Sequence, residues 1–169
     1  GSIAVLKGNL APGSAIIKQS AASEELLAHE GIVEVFDNLE DLANRIDSDD
    51  LNVTKDSILL LKNIGPIGAP GMPEAGLIPI PKKLAKQGVK DMVRISDGRM
   101  SGTAAGTIIL HVCPEAAAGG TLDIVESGDI IKLDVNKRLL ELKLSDEEIS
   151  TRKKSKKSNK EMKRRGYDK

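Results

Sequence analysis

The apolar residues of this 169-residue chain occur in runs of about four to six residues, and turn-forming residues separate most of the runs. Runs of this length, rich in Ile, Val and Leu, predict β-strands, because helices usually need about ten or more residues. The predicted strands are residues 3–6, 15–18, 32–36, 57–62, 91–96, 107–112, 130–135 and 139–144. Several connections are too short for the crossover helices of a doubly wound parallel sheet. The pattern therefore favours an α/β fold in which a curved sheet or small barrel is flanked by helices.

Helical spacing and capping residues predict four helices. They are residues 23–30, 39–46, 77–87 and a terminal helix that begins after residue 145. Ser145 and Glu148 form a capping box at the start of the terminal helix, and Asp37 or Asn38 caps the second helix. The region 121–144 is predicted to be entirely β. The length favours one domain, residues 1–150, followed by a basic terminal helix or tail, residues 151–169.

Composition excludes several classes of function. Phe36 and Tyr167 are the only aromatic residues, which argues against base-stacking platforms, methyl-lysine cages and proline-peptide grooves. Cys113 is the only cysteine, so the chain by itself cannot form a disulfide, a Cys-only zinc site or a complete iron–sulfur site. No apolar run is long enough to span a bilayer, and we expect a cytoplasmic protein with no membrane partner.

The charge is distributed unevenly although the total is zero. Residues 151–169 carry a net charge of +8, and residues 1–150 therefore carry −8. Such a basic segment can be an arm that binds nucleic acid or simply a solvated terminal segment. No groove-reading motif accompanies it, and the second interpretation is therefore favoured.

Two loops have the composition of an active site. Seven of the fourteen residues from 63 to 76 are glycine or proline, which excludes a regular element there. Within residues 65–76 the one ionisable side chain is Glu74, and a carboxylate on a rigid loop suits a Mg²⁺ ligand or a general base. Glu74 could instead favour the N-terminus of the helix predicted to follow.

The second loop, residues 96–103, follows a predicted strand and combines hydroxyl groups, a carboxylate and a guanidinium. Gly98 and Gly102 permit tight turns with exposed amides that could hold an anion. Ser101 could act as a nucleophile, a base or a hydrogen-bond donor. Alternatively, this is a polar turn in which Asp97 and Ser101 satisfy backbone groups. His29 and His111 form no metal-spaced pair, and the chain has no G-x-S-x-G elbow.

Several ordered motifs together resemble the dihydroxy-acid dehydratase and sugar-acid dehydratase family. The resemblance covers residues 4–150 or so and is much more specific than a single glycine pattern. The principal motifs are Gly8-Asn9-Leu10-Ala11-Pro12, Pro70-Gly71-Met72-Pro73-Glu74, Ser96-Asp97-Gly98-Arg99-Met100-Ser101-Gly102 and His111-Val112-Cys113-Pro114-Glu115-Ala116-Ala117. Because the chain is similar only to the C-terminal domain of these enzymes, and begins with Gly1-Ser2, we expect a piece of a longer protein.

The resemblance implies a swivelling β/β/α domain that closes an active site against a larger N-terminal domain. That partner domain would supply the cysteines of an iron–sulfur cluster and most ligands of a Mg²⁺ ion. The complete enzyme, expected to be a homodimer, would dehydrate a 2,3-dihydroxy acid or sugar acid to a 2-keto acid. Such reactions serve branched-chain amino-acid synthesis or sugar-acid breakdown. The isolated chain would bind neither cofactor and would be inactive.

The same resemblance assigns roles to individual residues. Ser101 matches the serine that acts as an alkoxide base on the C2 proton, and Glu74 matches a carboxylate of the Mg²⁺ shell. Thr103 stands where sugar-acid members place a hydroxyl group near the substrate. The remaining expected substrate-binding residues are Asp97, Arg99 and Gly102. We expect Glu74 and Ser101 to face one edge of the barrel, because both loops follow strands.

Two other interpretations remain open. One is a stand-alone, non-catalytic swivelling domain that binds a small anion or a partner chain. The other is a nucleic-acid binder that uses its basic segment. Cys113 lies where the family often has serine, and the Lys-rich terminus departs from the family's usual aromatic and proline-rich end.

Overall fold

A computed structural model describes residues 3–70, 78–99 and 105–166. These residues form one eight-stranded sheet with helices on its outside. The strands are β1 (Ile3–Leu6), β2 (Ser14–Lys18), β3 (Ala28–Phe36), β4 (Ile58–Leu61), β5 (Arg94–Ser96), β6 (Ile108–Cys113), β7 (Ile130–Asp134) and β8 (Leu139–Leu142). The α-helices are α1 (Leu39–Arg45), α2 (Lys82–Ala85) and α3 (Asp146–Arg164), and short 3-10 turns occupy Gln19–Ala21, Glu24–Leu26, Ala116–Ala118 and Thr121–Ile124.

The strand order is β1-β2-β6-β5-β4-β3-β7-β8. The four central strands β3 to β6 run parallel to one another, and the outer pairings are antiparallel. A parallel bridge from Lys7 to Leu139 brings the two ends of the sheet together. The sheet is therefore mixed and nearly closed into a barrel, and the predicted barrel-like α/β fold is confirmed.

Strands β4 and β5 are buried on both faces, as parallel strands covered by helices should be. In β4 the side chains of Ile58 and Leu60 belong to the apolar cluster inside the barrel, whereas Leu59 and Leu61 belong to a second cluster outside it. The alternation follows from the period of two in a strand. The second cluster also contains Phe36. The helices that contribute residues to this cluster cover the outer face of the parallel strands. Aliphatic packing replaces the missing aromatic volume.

Three predicted elements differ from the structure. The predicted helix 23–30 is only a 3-10 turn, Glu24–Leu26, and β3 already begins at Ala28, so His29 lies in a strand. Long-range pairing of Ala28–Ile32 with β7 overrides the local helical preference. The predicted strand near 122–125 is the buried 3-10 turn Thr121–Ile124. The predicted helix 77–87 is reduced to α2, because Pro79 and Pro81 disfavour helical geometry in the residues that precede them.

The two predicted helix caps are confirmed. The side chain of Asn38 accepts a hydrogen bond from the backbone N–H of Asp41, and the hydroxyl of Ser145 accepts one from the backbone N–H of Glu148. The second cap begins α3, which carries the described part of the basic segment. In the part of the chain that the structure describes, no helix is both long and apolar enough to cross a bilayer.

A polar network holds together the starting ends of β5 and β6. The Asp91 carboxylate accepts hydrogen bonds from the Ser23 hydroxyl, from the backbone and hydroxyl of Thr107, and from the Arg94 guanidinium at 2.8 Å. Burial raises the pKa of the Asp91 carboxyl, but the hydrogen bonds from Ser23 and Thr107 and the charge of Arg94 outweigh it, so this pKa lies below its ordinary value. The network is structural, and it lies at the opposite end of these strands from the candidate site.

Candidate functional site

The two predicted active-site loops begin at the same edge of the sheet. β4 and β5 are adjacent and parallel, with Leu61 opposite Ser96. Their carboxyl ends therefore lie side by side, and residues 62–70 leave one strand where residues 97–99 leave the other. In open parallel sheets this edge is where ligands usually bind. The strand pairing shows that both loops start from one edge, and the expectation that Glu74 and Ser101 face that edge stays a prediction, because both lie outside the described residues.

The Asp97 carboxylate joins the first residues of the two loops. It is 2% exposed and accepts hydrogen bonds from the backbone N–H groups of Asn63 at 3.2 Å and Ile64 at 3.1 Å. It also accepts one from the backbone N–H of Ala116 at 3.0 Å, which ties in the segment after β6. Asp97 thus satisfies backbone groups, as the polar-turn interpretation of its loop expects.

The chain turns sharply where it leaves β4. Asn63 has a φ of 63°, in the left-handed region that asparagine tolerates better than most residues, and its side-chain amide donates to the backbone oxygen of Asp37. Ile64 then packs directly on Gly98, where a Cβ atom would lie 2.3 Å from the Ile64 Cδ1. A larger residue at position 98 would push the two loops apart.

A second carboxylate, that of Glu115, holds the next part of the first loop. Its oxygens accept hydrogen bonds from the backbone N–H groups of Ile67 at 3.0 Å and Gly68 at 3.1 Å. The N–H of Ala69 donates to the Gly65 oxygen at 2.8 Å and closes the turn around the carboxylate. A Cβ atom on Gly65 would lie 2.4 Å from Glu115 Oε2, so only glycine permits this approach.

The structure describes only two of the six predicted site residues. Glu74, Ser101, Gly102 and Thr103 lie outside the described residues. Of the other two, Asp97 is buried beneath the loops, and Arg99 is exposed at their surface. Sequence reasoning assigned no role to Glu115, although the motif that contains it was recognised. The signal available in the sequence was the proline-rich segment before Gly71. A segment that turns sharply leaves backbone amides unpaired, and these amides need a hydrogen-bond acceptor such as a carboxylate.

A polar cavity of about 590 Å³ lies beside the same edge, between the ends of β3 and β4 and helix α3. Its charged lining includes Asp37, Arg45, Lys62, Asp123, Arg152 and Lys156. The Lys62 ammonium is almost completely buried and donates to the backbone oxygens of Asp123 at 2.7 Å and Val125 at 2.8 Å. Burial, together with the positive charge of Lys156, lowers the pKa of Lys62 to about 8.

The described side chains do not assemble a metal site. Within residues 3–70, 78–99 and 105–166 no three His, Cys, Asp or Glu side chains come together to hold an ion. Cys113 is exposed at the end of β6. A single thiol does not fit an iron–sulfur cluster, which commonly takes about four cysteine ligands. Glu74 alone would likewise leave most of the octahedral oxygen shell of Mg²⁺ unfilled.

Comparisons with known proteins agree with the motifs. The family model described as dihydroxy-acid/6-phosphogluconate dehydratase C-terminal matches residues 1–169. A Rhizobium meliloti protein is 62% identical over 89% of this chain, and the L-arabinonate dehydratase of Rhizobium leguminosarum is 52% identical over 90%. The dihydroxy-acid dehydratase of Archaeoglobus fulgidus is 43% identical over 99%.

The matched regions are only parts of those proteins. The chain spans 26% of the length of each of the two Rhizobium proteins and 30% of the Archaeoglobus protein. The family model covers the whole of this chain, and the curated relatives agree with it. The chain therefore belongs to the family of dihydroxy-acid and 6-phosphogluconate dehydratases, whose C-terminal domain it represents.

Proposed function

We propose that this chain is the half of a hydro-lyase active site that closes over a 2,3-dihydroxy acid or sugar acid and helps convert it to a 2-keto acid. The observation that carries the proposal is the adjacency of two loop stems. The segments leading to Glu74 and to Ser101 leave neighbouring parallel strands and are joined by the Asp97 carboxylate. A base and an anion-binding or metal-binding carboxylate would then approach one substrate from one edge.

The names of the relatives support a hydroxy-acid substrate. Two relatives with 52–53% identity are named as L-arabinonate and L-arabonate dehydratases. Relatives named as dihydroxy-acid dehydratases are 41–43% identical. A sugar acid is therefore the first substrate to test, and the hydroxyl of Thr103 is consistent with that choice.

In the proposed reaction Ser101 removes the proton from C2 of the substrate. The electron pair of that C–H bond forms a C2–C3 double bond as the bond from C3 to its hydroxyl group breaks. The departing hydroxide takes up a proton from solvent and leaves as water, and the protonated Ser101 returns its proton to solvent. The resulting enol tautomerises to the 2-keto acid. A serine needs help to become a base, because its hydroxyl group is weakly acidic. In this proposal the alkoxide is stabilised by hydrogen bonds from backbone amides of its loop.

The iron–sulfur cluster and the Mg²⁺ ion that the family resemblance implies would be bound mainly by residues outside this chain. The single cysteine does not fit a cluster site, and Glu74 offers one ligand. We therefore assign the cluster cysteines, the remaining Mg²⁺ ligands and part of the substrate pocket to an N-terminal domain of the longer protein. Homodimerisation of that longer protein also belongs to this proposal.

The test compares single variants of the longer protein that contains this domain. Ser101→Ala should lower kcat by a factor of about 10³ or more, because the base is lost while the fold is kept. Glu74→Gln should raise the KM for the sugar acid and the Mg²⁺ concentration needed for activity. Ser158→Ala, at an exposed serine on α3, is the matched control and should leave kinetics unchanged. Full activity in Ser101→Ala would contradict the assigned role.

A further inference from the structure

We propose that Asp97 and Glu115 are positioning residues of the proposed dehydratase site, whose carboxylates hold the backbone of residues 63–68 against the stem of the loop that carries Ser101. This inference rests on the proposed function. It differs from the expected role of Asp97 as a substrate-binding residue, and it assigns a role to Glu115. Neither side chain is proposed to touch the substrate.

The Asp97 contacts carry the first part of the argument. One buried carboxylate accepts three backbone N–H groups that come from two separate segments, one at Asn63 and Ile64 and the other at Ala116. Hydrogen bonds to an ionised acceptor are stronger than neutral ones. With its oxygens engaged by these amides, Asp97 is arranged to fix backbone positions. It also belongs to the second loop, so it couples the stems of both loops directly.

The Glu115 contacts carry the second part. Its carboxylate accepts hydrogen bonds from the N–H groups of Ile67 and Gly68, three to five residues beyond the amides that donate to Asp97. Ile67 is 61% exposed, so no apolar burial holds this turn in place. The carboxylate therefore supplies the restraint that packing does not. The close approach of Gly65 to Glu115 Oε2 shows that the turn is built around this side chain.

The two carboxylates are themselves linked through the backbone. Glu115 immediately precedes Ala116, whose N–H donates to Asp97 at 3.0 Å. The segment 114–116 after β6 is thus a common support for both ends of residues 63–68. A displacement of about 1 Å in a catalytic group can lower a rate about a hundredfold. Removing these hydrogen bonds should therefore lower the rate by shifting the segment that leads to Glu74.

The kinetic test uses Glu115→Ala and Glu115→Gln in the longer protein. The alanine variant removes both acceptors and should lower kcat by about 10- to 100-fold. The glutamine variant keeps one acceptor oxygen and should recover part of that loss. The midpoint of thermal unfolding should change little, because the hydrogen bonds lie at the surface. Glu141→Ala removes a carboxylate of similar exposure on β8, three strands away from β4, and should leave kcat unchanged.

A structural readout uses the 169-residue chain and needs no activity. In Glu115→Ala, the amide resonances of Ile67 and Gly68 should shift and their hydrogen exchange should accelerate at least about fivefold, while the amides of β4 keep their protection. Asp97→Asn should perturb Asn63, Ile64 and Ala116 together. If Asp97→Asn fails to fold, the Glu115 series alone decides the question.

The outcomes separate this inference from the proposed function. An active wild-type protein with unchanged kcat in Glu115→Ala would overturn the positioning role and leave the dehydratase proposal standing. Unchanged exchange at Ile67 and Gly68 would also overturn it, because the contact would then not order the loop. Absence of dehydratase activity in the wild-type longer protein would overturn the proposed function, and with it the positioning role of Asp97 and Glu115 in that reaction.

Discussion

At the scale of single residues, Lys62 places a buried charge beside the candidate site. Lys62 immediately follows β4, one residue before the turn at Asn63, and its side chain points into the protein interior. Two backbone oxygens from the segment 123–125 accept its hydrogen bonds, so the ammonium joins the end of a central strand to the turn beneath α3. Two carbonyl oxygens only partly replace the water that a lysine loses on burial. Burial therefore lowers the pKa of Lys62 to about 8.

The first prediction concerns the pH dependence that Lys62 imposes on stability. Between about pH 8 and 10.5 the unfolded chain binds a proton at Lys62 that the folded chain does not bind. The free energy of unfolding should therefore rise with pH across this interval, by on the order of 3 kcal/mol from this group. Lys62→Met should remove that rise. The measurement is urea unfolding of both proteins at several pH values from 7 to 10.5.

The matched control for this experiment is Lys55→Met. The Lys55 side chain is 73% exposed, and its variant should keep the pH dependence of the wild-type chain. Parallel curves for the wild-type chain and Lys62→Met would show that burial does not shift this lysine, and the prediction would fail.

At the scale of secondary-structure elements, α3 is attached to the barrel by ion pairs more than by apolar contact. Ile149 is its only buried residue among those described. The guanidinium of Arg152 donates to both oxygens of Asp129, at 2.6 and 3.1 Å. Further along the helix, the ammonium groups of Lys156 and Lys160 lie 3.0 and 3.3 Å from the Asp123 carboxylate. Part of the positive segment is thus neutralised by acids of the domain that it follows.

Arg152 should be the principal attachment of α3. Its side chain is 19% exposed and its bond to Asp129 is bidentate, whereas Lys156 and Lys160 are more exposed. Arg152→Ala should lower the free energy of unfolding by about 1–3 kcal/mol and accelerate amide exchange in α3. Lys154→Ala, at an exposed position on the same helix, should change stability by less than about 0.5 kcal/mol. Equal effects of the two substitutions would show that charge alone, and not this contact, holds the helix.

The elements also show how far sequence patterns reach. The runs that became β4, β7 and β8 were predictable because they are apolar or alternating, and bounded by turns. The caps at Asn38 and Ser145 were predictable because capping is a local hydrogen bond. The strand at Ala28–Gly31 was not, since its partner β7 lies about a hundred residues away and local composition favours a helix. The turn Thr121–Ile124 alternates polar and apolar residues as a strand would, but it is buried without a partner strand, a distinction that periodicity does not make.

The candidate site was predictable to the level of its loops. Gly- and Pro-rich composition and the position after two strands identified both loops, and the parallel pairing of β4 with β5 shows that their stems leave one edge. The role of individual carboxylates was less accessible. Asp97 and Glu115 act on backbone amides that belong to distant segments, and no pattern within one loop identifies such partners.

At the scale of the whole molecule, the described features of the candidate site lie along one edge of the barrel. The strands, the Asp97 and Glu115 carboxylates and the polar cavity all converge on that edge. Among the described residues no cluster of metal ligands accompanies them. The relatives that share this domain are about three to four times as long as the chain. We therefore expect the remaining chemistry to come from a second domain that meets this edge.

The last prediction follows from that division of the site. The 169-residue chain alone should show no dehydratase activity on a sugar acid, and anaerobic reconstitution with iron and sulfide should leave less than about 0.1 iron atom per chain, because Cys113 alone cannot hold a cluster. Adding the separately produced N-terminal region of the longer protein should restore turnover. The same addition to the Ser101→Ala chain should not, which controls for activity of the added region. Stoichiometric iron and sulfide on the isolated chain, or turnover without the added region, would contradict the prediction, because the site would then be complete within these residues.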